Sequence, residues 1–471
     1  MKPFMTLLGA AALSACATLP GKSPQPAIKA PSALASAQAF AAPNGEWPAS
    51  GWWNVYGDAQ LDSLIEEGLA GSPSVAIADA RMRRARAAQD SANGSLEPTV
   101  SANSSFIEQK QSYNYLSPPA MTPQGWNDYG RSSLDFSWEL DFWGKNRAAL
   151  AAATSEAIAA GADADQARLA LSSAIASNYA ELARLYSARD TAAAARDLRT
   201  KTADLFAKRF ENGLETRGSQ RQADSRRAAS DAEVMSLDEQ IALQKKRIAA
   251  LLGAGPDRGL AIARPKVDFA HTYALPATLS AELMGRRPDL VAARLRAEAA
   301  AKRIHVTRAQ FYPNVNLSAF IGVQALGLDL LKQSGSDIGS VGPAISLPIF
   351  NGGKLRGQLR GAEAEYAEAV ANYDKALTQA LQEVADAAVS QRALTPQIER
   401  MDAAVEAARE AWRVQSNRYE GGLANYLDVL SAEDYLLSTL RTQSDLQSRS
   451  MTLDVALNKA LGGGYQTSNP L

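Results

Sequence analysis

The sequence predicts a mainly α-helical chain with a membrane β-barrel, built by internal duplication. Three observations predict it: two helix-forming stretches, 145–212 and 354–421, of 68 residues each; two pairs of strand-like segments; and a near-constant offset between the two halves.

The first long stretch contains no proline and a single glycine, Gly161. Ala148, Ala149, Ala151 to Ala153, Ala157, Ala159 and Ala160 crowd its start, and alanine favours helix because it loses no side-chain entropy there. Ile175, Tyr179, Leu182 and Tyr186 then step by 4, 3 and 4, the period of one helical face. At about 1.5 Å rise per residue such a helix is roughly 100 Å long, several times the thickness of a bilayer core. The twin stretch carries Pro396, aligned with Ser187, and a kink is expected near Thr395-Pro396 because proline removes a backbone hydrogen bond.

In chain order, Lys2, the apolar run from Phe4 to Leu13 and small residues before Cys16 read as a signal peptide over 1–15. Leu13-Ser14-Ala15-Cys16 resembles a bacterial lipobox, which implies cleavage before Cys16 and diacylation of its thiol. The alternative is an ordinary signal peptide that contains a cysteine. Ala17 in place of aspartate implies transport to the outer membrane. Residues 16–50 read as lipid anchor and extended Pro/Ala/Ser tether. The first repeat is assigned to 51–253, starting at Trp52-Trp53; helices follow through Leu61 to Leu69 and from Ser74 to about Leu96. Strands are expected at about 99–109 and 131–141, where Leu134, Phe136, Trp138 and Leu140 alternate with polar residues. The long helix 145–212 turns at Gly213-Leu214 into a returning helix over 219–252. A proline-containing connector covers 254–280.

The pattern then repeats over 281–462, leaving a tail at 463–471. Pro73 maps to Pro288 and Pro98 to Pro313 with an offset of 215; Lys145, Arg209, Gly213 and Gly253 map to Lys354, Arg418, Gly422 and Gly462 with an offset of 209. The offset changes only between the strands, as a hairpin loop of varying length would produce. Second-half strands are expected at about 314–324 and 341–350, with Leu347 and Ile349 continuing the alternation of Ile345, and long helices at 354–421 and 426–461.

Composition narrows the function classes. Net charge is −1, so no electrostatic footprint for nucleic acid exists. Two histidines, His271 and His305, and one cysteine leave little for nucleophilic or metal chemistry. Gly352-Gly353-Lys354 lacks the rest of a P-loop. No cofactor and no enzymatic activity are expected, and energy for any transport must come from a partner. After the signal peptide no run of 18 apolar residues follows, so the membrane candidates are the strands. Four strands cannot close a barrel, since the smallest spanning barrels need about eight, and open edges are not tolerated in hydrocarbon. A homotrimer supplies 12 strands, with the long helices hanging below as a tube.

Trp138-Glu139-Leu140-Asp141-Phe142-Trp143-Gly144-Lys145, Arg286-Arg287-Pro288-Asp289, Phe311-Tyr312-Pro313, Pro348-Ile349-Phe350-Asn351-Gly352-Gly353 and Arg418-Tyr419-Glu420-Gly421-Gly422-Leu423 with Tyr426-Leu427-Asp428-Val429 carry a family resemblance. Their order and spacing resemble the TolC-like outer-membrane efflux proteins, in particular the lipidated NodT-type branch. The resemblance implies a homotrimeric 12-stranded β-barrel in the outer membrane of a Gram-negative bacterium, continued by a long periplasmic α-helical barrel. It also implies docking to a periplasmic adaptor and a proton-driven inner-membrane pump, with drugs or other small molecules as cargo.

By the same resemblance the turns at Gly213, Leu214, Gly422 and Leu423 dock the adaptor, and the tube narrows beside them. Asp428 stands where the family often carries a constriction aspartate; three copies would make an acidic ring that favours cations. The other reading is an acid favoured by the helix dipole. The first half has Ser219 in that place, behind Arg217, which either pairs with Asp428 or Tyr419 on a neighbouring turn or is solvated. The candidate gate is therefore Asp428, Asn425, Tyr419, Arg217 and Ser219. The leading function is a passive exit duct of a tripartite efflux pump. The alternatives are the duct of a type I protein secretion system, and a non-conducting coiled-coil lipoprotein.

Overall fold

The computed structural model of the chain describes residues 21, 24–30, 34, 40, 44–114, 118–266, 275–276 and 279–466. The expected signal peptide and Cys16 lie outside the described residues. The chain divides into two compact units, each drawn from both sequence repeats: one of residues 1–28, 82–160 and 293–373, the other of 29–81, 161–292 and 374–471. The repeats are therefore units of sequence, not of packing.

The main elements are β1 (Asn44–Gly45), α1 (Ala59–Gly71), α2 (Pro73–Gly94), β2 (Thr99–Gln109), β3 (Asn127–Glu139), α3 (Lys145–Glu211) and α4 (Arg217–Leu251). They continue with β4 (Leu275–Pro276), α5 (Leu279–Arg286), α6 (Pro288–Ala309), β5 (Asn314–Leu326), β6 (Asp337–Ser346), α7 (Lys354–Glu420) and α8 (Tyr426–Ala460).

The first unit holds an antiparallel sheet of order β2-β3-β5-β6, whose central β3–β5 seam joins the two repeats. Register sorts the side chains onto two faces. One carries Val100, Leu134, Phe136, Trp138, Leu317, Ile321, Val341 and Ile345; the other carries Ser101, Asn103, Ser133, Asp135, Asn316 and Ser318. The apolar face is exposed, with Val341 at 77%. Gly322 sits where the β3–β5 seam is tightest: a Cβ there would land on the carbonyl of Ser132 and the backbone of Ser133.

Both hairpins differ from expectation. β3 begins at Asn127 rather than 131 and ends at Glu139, leaving Leu140 just outside. β6 runs from Asp337 to Ser346, so Leu347 and Ile349 lie beyond it. Pro348 cannot donate to a ladder, whereas the backbone of Asp337 to Ser340 pairs with β5 without any apolar alternation to announce it.

The strand-to-helix junction is tied by polar groups. Asp141 accepts backbone hydrogen bonds from Asn146 (3.2 Å) and Arg147 (2.9 Å), anchoring the start of α3. The Trp143 indole donates to the Pro313 carbonyl at 2.7 Å and stacks on Tyr312 at 4.7 Å between centroids.

The second unit is built on the stripe read from the sequence. Ile175, Tyr179 and Leu182 are fully buried among Trp52, Tyr56, Leu61, Leu64, Ile65, Ile248, Leu252, Met451 and Val455. Asp58 caps α1 by accepting from Gln60 N–H at 3.0 Å, and its other oxygen accepts from the Tyr179 hydroxyl and the Lys266 N–H, both at 2.7 Å. Burial, reinforced by Asp58, pushes the Tyr179 phenol up, so it stays a donor. Arg287 binds Asp289 through two nitrogens and donates to Glu383 (2.7 Å) and to the free Ala460 carbonyl at the end of α8 (3.1 Å).

One further expectation is corrected. The tether is not free of structure over its whole length: Asn44–Gly45 pairs in parallel with Leu275–Pro276. Further back, Pro26 accepts from Tyr366 at 3.2 Å and Lys29 pairs with Asp374 at 3.2 Å. The second long helix, α7, is continuous through Pro396, and the bend expected near Thr395-Pro396 concerns its axis rather than its continuity. A proline costs a long helix one hydrogen bond at that point, and packing on either side sustains the rest. Buried residues Val384, Ala388, Leu394 and Val405 bracket it.

Gly322→Val is expected to break the β3–β5 seam and sharply lower the yield of folded protein in detergent, measured by gel filtration and circular dichroism. Gly339→Ala, where a Cβ would meet nothing nearer than 3.5 Å, serves as the tolerated control.

Candidate gate at the helix-to-helix turns

The two rods end alike because their last turns have the same chemistry. α3 stops at Glu211; Gly213 takes φ 72°, its N–H donates to the Phe210 carbonyl at 2.9 Å, and Leu214 N–H donates to the Arg209 carbonyl at 2.8 Å. α7 stops at Glu420; Gly422 takes φ 75°, with bonds from Gly422 to Tyr419 (3.0 Å) and from Leu423 to Arg418 (2.7 Å). This double bond with a left-handed glycine satisfies the free carbonyls of a helix end, and a side chain there would be strained. Leu214 and Leu423 stand out from the turns, 65% and 74% exposed.

The returning helices then diverge. α8 opens with a full capping box: Asn425 accepts from Asp428 N–H at 3.0 Å, and the Asp428 carboxylate accepts from Asn425 N–H at 3.2 Å. The geometry thus assigns Asp428 a capping task, and Asn425 is its reciprocal partner. α4 starts at Arg217, two residues before the expected 219, because Thr216 is its N-cap and accepts from Ser219 N–H at 3.1 Å. Ser219 is too short to reach back to the Thr216 N–H, and its hydroxyl instead meets Thr216 Oγ1 at 2.9 Å.

Glu215 takes over in the first half and links the turns. Its Oε1 accepts from the Tyr419 hydroxyl at 2.6 Å, and its Oε2 lies 3.4 Å from Thr216 N–H. Tyr419 stacks on Phe206 (5.5 Å between centroids) and lies under the Arg209 guanidinium at 4.7 Å. Burial and Glu215 push its phenol up, so it remains protonated. Within the chain Tyr419 is held by Glu215 and Arg209. Arg217 itself is exposed and makes no ion pair or hydrogen bond among the described residues.

Behind the turns Phe206, Ala203, Ala223, Tyr419, Tyr426, Val429 and Leu430 form an apolar plug. One helical turn further on, Glu433 is wholly buried. It accepts from Thr202 at 3.2 Å and lies 3.6 Å from Arg199, which together with Arg226 also holds Asp434 (3.2 and 2.7 Å). One Glu433 oxygen has no hydrogen-bond partner. Its signal in the sequence was an acid falling in the apolar stripe Tyr426, Leu430, Leu437. No group of residues fit to hold a metal occurs among the described residues, and nothing here pairs a nucleophile with a base.

Two outcomes follow for the turns. Tyr419→Phe should cost about 1–2 kcal/mol through the lost bond to Glu215, read as a lower thermal midpoint that Glu215→Ala, which removes the acceptor, reproduces without adding to it. Burial raises the Glu433 pKa, so the stability this group contributes is complete below its unfolded value of about 4.3 and is lost as pH rises through the folded value. Glu433→Gln should therefore melt higher than wild type at neutral pH, with the difference closing below about pH 4.

The chain was compared with known proteins. The family model for "Outer membrane efflux protein" matches residues 64–254 and 279–463, one segment in each repeat. Fusaric acid resistance protein FusA of Burkholderia cepacia is 36% identical over 359 residues, covering 75% of this chain and 67% of that protein. Multidrug resistance outer membrane protein MdtP of Escherichia coli K12 is 30% identical over 427 residues, 89% of this chain and 87% of that protein. The crystal structure of outer membrane protein VceC from Vibrio cholerae is 50% identical and superposes with a TM-score of 0.85, covering 89% of this chain and all of that one. The fold is that of the TolC-like channels, a β-barrel with a helical barrel, in the outer membrane and periplasm of Gram-negative bacteria. It is a channel and not an enzyme: the chain belongs to the outer membrane efflux protein family.

Proposed function

We propose that three copies of the chain close a 12-stranded barrel and a helical tube that together serve as the passive exit duct of a tripartite efflux pump. The observation that carries this reading is the sheet: both edge strands, β2 and β6, lack a neighbour among the described residues, and its apolar face is exposed. In hydrocarbon every backbone group needs a partner, so β6 of one copy joins β2 of the next. The apolar face meets lipid and the polar face lines the lumen.

At the other end, Leu214 and Leu423 form the docking points for a periplasmic adaptor, each held out by a rigid glycine turn. Asp428 of three copies forms an acidic ring that favours cations at the narrow end, and Arg217, which has no partner among the described residues, reaches an acid of a neighbouring copy. Asp428 meets its capping task with one backbone N–H, which leaves carboxylate lone pairs for a second partner. Cys16 carries the lipid anchor. Drugs or other small molecules are the cargo, in line with the multidrug and fusaric acid resistance named for the relatives. A proton-driven inner-membrane pump supplies the energy.

Purified wild-type protein should give single-channel conductance in planar bilayers, raised by Asp428→Ala or Arg217→Ala. Absence of conductance in all three overturns the duct. Cysteines at Leu214 and Leu423 should crosslink in cells to an efflux adaptor; capture of a secretion adaptor instead would move the chain to protein export.

A further inference from the structure

The polar face of the sheet is almost bare of charge. Among its strand residues only Arg131, Asp135 and Glu139 bear a full charge at neutral pH, all from β3. Glu139 is neutralised by Lys145 at 2.8 Å. Asp135 accepts hydrogen bonds from Asn103 at 2.8 Å and Ser133 at 2.9 Å. Arg131 has no ion pair among the described residues; its guanidinium carbon lies 5.0 Å from the centroid of the Phe320 ring.

That seat is set by register. Arg131 stands opposite Gln324 and Asp135 opposite Phe320, with Ser133 and Gly322 between them. The missing side chain at Gly322 leaves a path along which Arg131 reaches diagonally to the ring. A cation–π contact orients the guanidinium without cancelling its charge, and arginine does not titrate in the working range.

We infer that Arg131, seated on Phe320, is a specificity-determining residue of the barrel lumen, a charge filter that favours anionic solutes. The inference rests on the closed-barrel reading, in which three copies make a ring of three guanidinium groups. Asp135 stands opposite Phe320, so the guanidinium seated on that ring leans toward its carboxylate without reaching ion-pair distance, and Asn103 and Ser133 hold that carboxylate by hydrogen bonds. The guanidinium N–H groups, held over the ring and not in an ion pair, remain able to meet a passing anion. Rings of fixed charge set ion preference in pores. The sign of this ring is opposite to that proposed for Asp428 at the turns, so an organic anion that passes the turns is drawn onward at Arg131.

The test is the reversal potential across a potassium chloride gradient in planar bilayers, at about 0.01 M salt, where the Debye length is about 30 Å. Asp428→Ala is the parent, so that the acidic ring does not mask the lumen. Adding Arg131→Glu should lower the chloride-to-potassium permeability ratio several-fold, Arg131→Lys should keep most of it, and Phe320→Ala should fall between. An unchanged ratio with Arg131→Glu overturns the proposal and leaves the duct reading standing. A parent and wild type that do not conduct overturn both. Assembly of each variant is checked by gel filtration; if Arg131→Glu fails to assemble, Arg131→Gln replaces it and is expected to give a smaller shift of the same sign.

Discussion

An unpartnered sheet is the constraint on which this structure turns. Four strands bring two rows of free backbone N–H and C=O groups at β2 and β6 and one apolar face that the chain leaves exposed. In water such a surface is an aggregation hazard; in a membrane it is insoluble unless its edges are closed. Duplication gives two hairpins joined along the β3–β5 seam, too few to curl back on themselves, which is why the closed barrel we propose needs further copies. The polar ties at the strand-to-helix junction, Asp141 on the start of α3 and Trp143 on Pro313, then fix where the first rod leaves the sheet.

The same duplication is kept strictly where backbone geometry demands it and relaxed where side chains suffice. Gly213 and Gly422 hold the same left-handed turn because only glycine adopts it without strain. The caps that follow needed only an acceptor at the first position, and Thr216 and Asn425 both supply one. With that condition met, the third position drifted: Asp428 closes a capping box, while Ser219 leaves its share to Glu215, which reaches across to Tyr419. A pseudo-symmetric pair of turns thereby became unequal, with a phenol–carboxylate link on one side and a carboxylate held at a helix start on the other. Capping and pore lining are compatible tasks for Asp428, since a carboxylate accepts more than one donor.

Buried polar groups separate the well-satisfied parts of the molecule from the strained ones. Asp58, Tyr179 and Arg287 are buried and every one of them is hydrogen-bonded, consistent with rigid packing where helices from both repeats meet. Glu433 is as deeply buried and satisfied less, with one oxygen unpartnered and Arg199 at ion-pair but not hydrogen-bond distance.

Helical period, alanine density, strand alternation and the 209-residue offset are local or repetitive signals, and from them the sequence by itself determined the two rods, the returning helices, the duplicated plan and the glycine turns. The strand ends were misread where polar residues pair through their backbone alone, as at Asp337 to Ser340, or where Pro348 stops a ladder despite continuing alternation. The tether's pairing at Asn44–Gly45 is a single long-range contact with no periodicity to reveal it. Tertiary structure alone decided which polar groups meet: Tyr419 with Glu215, Arg131 with Phe320, Glu433 with Arg199. Such pairs join residues far apart in the chain, and their partners are selected by distance and desolvation, quantities that exist only once the helices and strands are packed.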